Sequence, residues 1–152
     1  MSAWIPVIAG TGSALVGGFY LAFSAVVMPA LHRRPAREAA ATMVAINERA
    51  VGPSFMLLFF GTAAACGANI ISAAADPQPS APLRIAGSVA YLSGWALTMA
   101  VNVPLNNRLA GTGPEQRASQ WVRFERPWTR ANLVRAVLSG AGAVALLVPV
   151  PS

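Results

Sequence analysis

Apolar residues run along this chain in four long stretches, separated by short polar segments that collect nearly all of the charge. The first extends from about Trp4 to Leu31 and is interrupted only by small or weakly polar residues. A signal-peptide core is about 7–15 residues long and follows basic residues, so this longer, unpreceded stretch reads as a retained span. About 20 apolar residues cross a bilayer as a helix. A second stretch, from Pro53 to Ala75, carries no charge and stops at Asp76-Pro77-Gln78-Pro79-Ser80-Ala81-Pro82, whose prolines cannot continue a helix. The third opens at Leu83 or Ile85 and reaches Leu105 or Asn106; the last begins near Pro127 or Trp128 and reaches Val150. The predicted spans are 4–31, 53–75, 83–106 and 128–150 within a single transmembrane domain, 1–152.

Two polar segments also carry a helical signal. Ala36 to Ala50 predicts a short helix with Met43 and Ile46 on its apolar side, and Pro114-Glu115-Gln116-Arg117 has the composition of a first helical turn. The expected fold is all-α: an integral membrane four-helix bundle with short amphipathic helices in the cytoplasmic loops. No internal repeat is evident in the sequence.

Composition sharpens this picture. Hydrophobic residues make up 55 % of the chain and charged residues 11 %, against about 25 % charged in soluble domains. The net charge of +6 comes from eleven basic residues, all arginine, and no soluble face exists on which they would read nucleic acid. Arg33, Arg34, Arg37 and Arg49 follow the first stretch; Arg108, Arg117, Arg123 and Arg126 follow the third, with Arg130 close behind. Arginine-rich loops stay in the cytoplasm, so both termini are expected on the non-cytoplasmic side of a cell or inner membrane. One cysteine and one histidine supply neither a disulfide nor a metal-ligand set. Cys66 reads as a small buried apolar residue and His32 as an interfacial one. Small residues recur at helical spacing: Ser13 and Gly17 with Tyr20 and Ser24, and Gly61, Ala65 and Asn69. Such faces read as packing seams between helices, and they leave room for a homo-oligomer.

Polar side chains inside the last two stretches are the feature that bears on function. Tyr91, Trp95, Thr98, Asn102 and Asn106 fall three and four apart and share one helix face. Trp128, Asn132 and Arg135 do the same, and Trp121 and Glu125 extend that stripe backward if the helix survives Pro127; a break there is equally compatible. At 1.5 Å per residue Asn102 lies about 9 Å inward from Arg108, and Arg135 about 10 Å inward from Trp128. These depths match, because the third stretch ends and the fourth begins on the same side. An arginine near mid-membrane costs about 2.5–3.5 kcal/mol to insert, so Arg135 is expected to face the bundle or a hydrated cavity, with Asn102 as neighbour and Glu48 or Glu125 as countercharge. The plainer alternatives stay open: asparagines that only tie helices together, tryptophans that anchor at headgroup level, and an arginine that snorkels to the surface.

Several strings, taken in order, resemble the anthrone oxygenase-like family of small four-helix membrane proteins. They are Gly18-Phe19-Tyr20-Leu21-Ala22-Phe23-Ser24 with Val27-Met28-Pro29-Ala30-Leu31, then Met43 to Asn47, then Asn102-Val103-Pro104-Leu105-Asn106, and finally Trp121, Trp128-Thr129 and Asn132 with Arg135. Two positions depart from the family pattern. Leu133 stands where the closing motif often has histidine, and Phe124 where an aromatic hydroxyl is common. The resemblance implies oxygenation of a lipophilic anthrone- or quinone-type aromatic with no cofactor and no metal. On that reading Asn102, Asn132, Arg135 and Glu125 are the candidate catalytic residues: the amides and the arginine hold an oxyanion and Glu125, or Glu48, acts as base. Asn47, Trp95, Asn106, Trp121 and Trp128 are the candidate substrate-binding residues, with the tryptophans as a stacking wall. The alternatives are a non-catalytic membrane scaffold or subunit of a larger complex and, with less support, a small transporter.

Overall fold

The computed structural model describes residues 4–149, and all regular structure among them is helical. Helix α1 is Trp4–His32, with a π-helical stretch at Phe23–Val27. Helix α2 is Ala36–Ala50, and α3 is Pro53–Ala75. Helix α4 covers residues 81–110 and is continuous through Ala81–Leu97, a π stretch at Thr98–Asn102, and Val103–Ala110. Helix α5 is Arg117–Leu147. The expected end of the last span at Val150 lies outside the described residues.

Local chemistry explains most of these limits. Gly52 is extended and Pro53 opens α3 at a position whose missing N–H has no helical partner to lose. Proline in the first turn of α4 is tolerated for the same reason, so that helix begins at Ala81, ahead of the expected Leu83. Glu38 in the first turn of α2 and Arg49 in its last complement the helix dipole. The segment at Pro114–Gln116 is not the first turn of a helix but a separate turn; α5 starts at Arg117, whose Nε–H donates to the Thr112 carbonyl at 3.2 Å. Helix α5 then runs unbroken through Pro127, which settles the alternative left open there.

Both π stretches stand immediately before a proline. Phe23–Val27 leads into Met28-Pro29, and Thr98–Asn102 into Val103-Pro104. A proline inside a helix loses a hydrogen bond and clashes with the carbonyl four residues back. One widened turn relieves both effects and re-aims the side chains it contains. The first helix therefore continues past Pro29 to His32. Each half of the chain thus holds one rod with a π stretch ahead of a proline, α1 in the first and α4 in the second.

The rods pack antiparallel in a closed ring, α1 on α3 and α5, α4 on α3 and α5. Close backbone approach sets the seams. A Cβ on Gly142 would lie 2.8 Å from the Gly87 carbonyl oxygen, so α4 and α5 touch nearly backbone to backbone there. Gly12 of α1 is covered by the Thr62 side chain of α3, and Gly17 by Ser139 of α5. The Ser13–Ser24 face packs inward as expected, with Ser13 and Tyr20 buried. The second expected seam is rotated. Gly61 faces outward with open space beside it, and the packed face of α3 is Phe59, Thr62, Cys66, Asn69 and Ala73.

Helices α1, α3 and α5 are long and apolar enough to cross a membrane. Their outer faces carry large apolar side chains; Leu57 and Ile71 are 77 % and 72 % exposed. Such a surface is stable against lipid and not against water. At the arginine-rich end, α2 lies across the bundle. Its buried Ala39, Ala40 and Met43 pack on Leu109, Trp121, Phe124 and Trp128 and form a roof over the ring.

Candidate functional site

Beneath that roof the ring encloses a cavity of about 200 Å³. Phe19, Tyr20 and Phe23 of α1 form one wall, and Phe55, Met56, Phe59 and Phe60 of α3 another. The far side is Thr98, Met99, Asn102, Val103 and Asn106 of α4 with Trp128, Asn132 and Arg135 of α5, and Asn47 closes the roof side. The space exceeds the roughly 150 Å³ of an engineered cavity that holds benzene. Phe60 of α3, Met99 of α4 and Val51 between α2 and α3 line it while remaining 47 %, 43 % and 66 % exposed, so the cavity lies against the molecular surface at these residues.

The polar groups form one connected set. Asn132, fully buried, donates from Nδ2 to the Tyr20 carbonyl and to Ser24 Oγ, both at 2.7 Å. Its Oδ1 accepts from Arg135 Nη2 at 2.7 Å. Arg135 Nη1 donates to Thr98 Oγ1 at 3.1 Å, and Thr98 in turn donates to the Gly94 carbonyl. The guanidinium lies 4.2 Å from the Tyr20 ring centroid and 5.5 Å from that of Trp128. A desolvated cation over aromatic faces gains about 2 kcal/mol, comparable to the insertion cost of an intramembrane arginine. Asn102 Nδ2 reaches the Trp128 carbonyl at 3.4 Å, and Trp128 Nε1–H donates to Asn106 Oδ1 at 2.8 Å. Both π stretches contribute here: Phe23 and Ser24 from one, Thr98 and Asn102 from the other.

Six of the nine sequence-predicted site residues line the cavity: Asn47, Asn102, Asn106, Trp128, Asn132 and Arg135. Three do not. Trp95 lies behind the α3 wall, its ring 6.1 Å from those of Phe59 and Phe60. Trp121 sits under the roof, joined to the cavity through Phe124 and Trp128 in a ladder of rings. Glu125 does not reach Arg135; its Oε1 lies 2.6 Å from His32 Nδ1 at the outer edge of the bundle. Glu48 is exposed. Among the described residues no carboxylate lines the cavity, so neither Glu125 nor Glu48 supplies the expected countercharge there.

Residues missed as site members are Tyr20, Ser24 and the phenylalanines of α1 and α3. Tyr20 and Ser24 were legible only as part of a packing face, since nothing in their spacing distinguishes a contact with a helix from one with a cavity. Leu133 is 51 % exposed on the outer face of α5, so a histidine there would not point into this cavity. Phe124 is fully buried between Trp121 and Trp128.

The family model described as anthrone oxygenase matches residues 55–145, more than half of the chain. The chain belongs to the anthrone oxygenase family. In this family member the match spans α3, α4 and the α5 residues of the site, while Tyr20, Ser24 and Asn47 lie before it. No curated protein and no solved structure matches the chain.

Proposed function

We propose that this anthrone oxygenase family member is a membrane-embedded oxygenase that binds a flat lipophilic aromatic, of anthrone or quinol type, in the cavity under the α2 roof. The observation that carries this reading is Arg135, buried to 4 % exposure and converging with Asn132, Asn102 and Thr98 in an aromatic-walled space. The rings of Phe19, Phe55 and Phe59 and the Trp128 indole suit a planar ligand, and the exposed lining residues Phe60 and Met99 suit one that arrives through lipid.

The reaction asks little of the protein. Loss of a proton from the ring methylene of an anthrone leaves an electron-rich enolate, which reacts with dioxygen. The carbon gains one oxygen as a carbonyl, and the other oxygen leaves as water with the two methylene hydrogens. Dioxygen is the only oxidant, and the balance needs no reductant. Arg135, held in place by Asn132, stabilises the oxyanion in a water-poor site, where such donors act most strongly, and Asn102 lines the space beside it. Asn47 and Asn106 orient the ring substituents, with Trp95 and Trp121 supporting the walls from behind.

Helix α4 serves as the fourth span, and its polar face is turned inward to this site. The arginine-rich end faces the cytoplasm, which puts both termini outside it.

The test is turnover of an anthrone by purified protein, followed by oxygen uptake and quinone absorbance. Asn102→Ala and Arg135→Ala are expected to lose the activity while retaining helical content; unchanged turnover in both removes the site from consideration. One observation favours a second reading, a scaffold or homo-oligomer. Gly18 and Gly140 have open space where a Cβ would stand and border a shallow groove between α1 and α5, room enough for another helix. Co-purification of a fixed partner with no turnover supports that alternative.

A further inference from the structure

The cavity holds a cation with no anion to match it. All five carboxylate side chains of the protein lie elsewhere: Glu125 pairs with His32, Glu38 with Arg34 at 3.6 Å, and Glu48, Asp76 and Glu115 are exposed. Among the described residues Arg135 is the one buried arginine, and arginine keeps its charge even in apolar surroundings. Its contacts are all neutral: a threonine hydroxyl, an amide oxygen and two aromatic faces. They orient the guanidinium without neutralising it, and a buried charge left uncompensated is among the costliest features a fold can carry.

The unpartnered atoms extend this picture. Arg135 Nε and Asn47 Nδ2 are buried donors with no acceptor, and Asn102 Oδ1 is a buried acceptor with no donor. Buried polar groups are rarely left unpaired. Here three of them belong to side chains of one cavity.

We propose that the missing counter-ion is the ligand: the cavity takes its flat aromatic as an aryl-oxide or enolate anion, with the anionic oxygen on Arg135 and a neighbouring hydroxyl donating to Asn102 Oδ1. This rests on the aromatic-binding reading above and names the ionic form that the site selects. An O–H bond, or the C–H bond of an anthrone methylene, breaks heterolytically. The electron pair stays on the ligand and the proton passes to water at the arginine-rich surface. Arg135 thus acidifies the ligand by stabilising its anion, and a protein carboxylate is not needed as base. The Asn102 oxygen repels a bare anion, so it favours ligands that carry a hydroxyl beside the ionised oxygen. The ring-lined walls favour a planar aryl-oxide over the alkyl chain of a fatty acid, which shares the anionic chemistry.

The test uses the whole protein in phosphatidylcholine nanodiscs and an anthraquinone with a hydroxyl on each side of one carbonyl. This dye changes from yellow to red on ionisation and is already oxidised, so binding is read without turnover. At neutral pH the bound dye is expected to show the anion spectrum, and its dimethyl ether to bind roughly tenfold more weakly or worse, the scale of one charge-assisted hydrogen bond. Arg135→Gln is expected to abolish the red form and Arg135→Lys to retain part of it. Asn102→Leu is expected to weaken the dihydroxy dye more than its monohydroxy analogue. A yellow bound dye, or an ether that binds as tightly, overturns the anion proposal and leaves the aromatic site standing. Failure of both dye and ether to bind overturns the aromatic reading as well. Displacement of the dye by oleate at equal affinity also overturns the proposal, in favour of a fatty-acid carboxylate.

Discussion

Asn132 illustrates how much one amide decides at this site. It ties α5 to α1 through the Tyr20 carbonyl and Ser24, and it fixes the Arg135 guanidinium. Removing it leaves a buried carbonyl and a buried charge with fewer partners. Asn132→Ala is therefore expected to lower stability by about 2 kcal/mol, measured as a fall in the detergent-solubilised unfolding midpoint, and to weaken ligand binding together with it. At this scale the sequence was a good guide to which polar residues turn inward and a poor guide to what they touch. An asparagine or arginine in an apolar run has to be satisfied internally, whichever neighbour does it, so Asn102, Asn132 and Arg135 were legible. Glu125 was misplaced because a hydrogen bond with His32, 93 positions away at the bundle edge, leaves no local trace.

The π stretches matter at the level of the element. Pro104 forces the widened turn that contains Thr98 and Asn102, and so sets the angle at which α4 presents them to α5. Pro104→Ala removes the clash and the missing N–H. The expected result is a helix as stable as before or more so, with Thr98 and Asn102 rotated off the site. Unfolding midpoint and dye binding, measured on the same preparation, should part company: the first unchanged or raised, the second reduced. The roof belongs to this scale as well. Helix α2 was legible from its apolar positions, but its role as a lid over the aromatic ladder depends on Met43 packing on residues of α4 and α5. Met43→Ala is expected to cost about 2–5 kcal/mol, as for other buried methionines, and a loss within that range by chemical denaturation would confirm that the roof is part of the core.

For the whole molecule, two expectations concern assembly and orientation. Gly142→Val places two methyl groups against the Gly87 backbone, which cannot give way as a side chain can. Overpacking of this kind costs about 1–3 kcal/mol, so the variant should unfold at a lower temperature and bind ligand poorly, because α4 and α5 together form one side of the cavity. Orientation can be read by labelling. With the buried Cys66 replaced by alanine, a single cysteine at Ser80 should react with a membrane-impermeant maleimide in intact cells, and one at Thr112 should not. The reverse pattern would place the arginine-rich end outside.

The one-dimensional pattern sufficed for the helical class, for the limits of α2 and α3, and for which end of the molecule gathers the arginines. Those properties follow from runs, periods and prolines, which are local and additive along the chain. The ring order, the roof and, among the described residues, the absence of a carboxylate beside Arg135 emerged only from the packed structure. They depend on which faces of distant helices meet, and that is decided by backbone approach at Gly12, Gly87 and Gly142 and by the rotation each π stretch introduces, none of which hydrophobic spacing records.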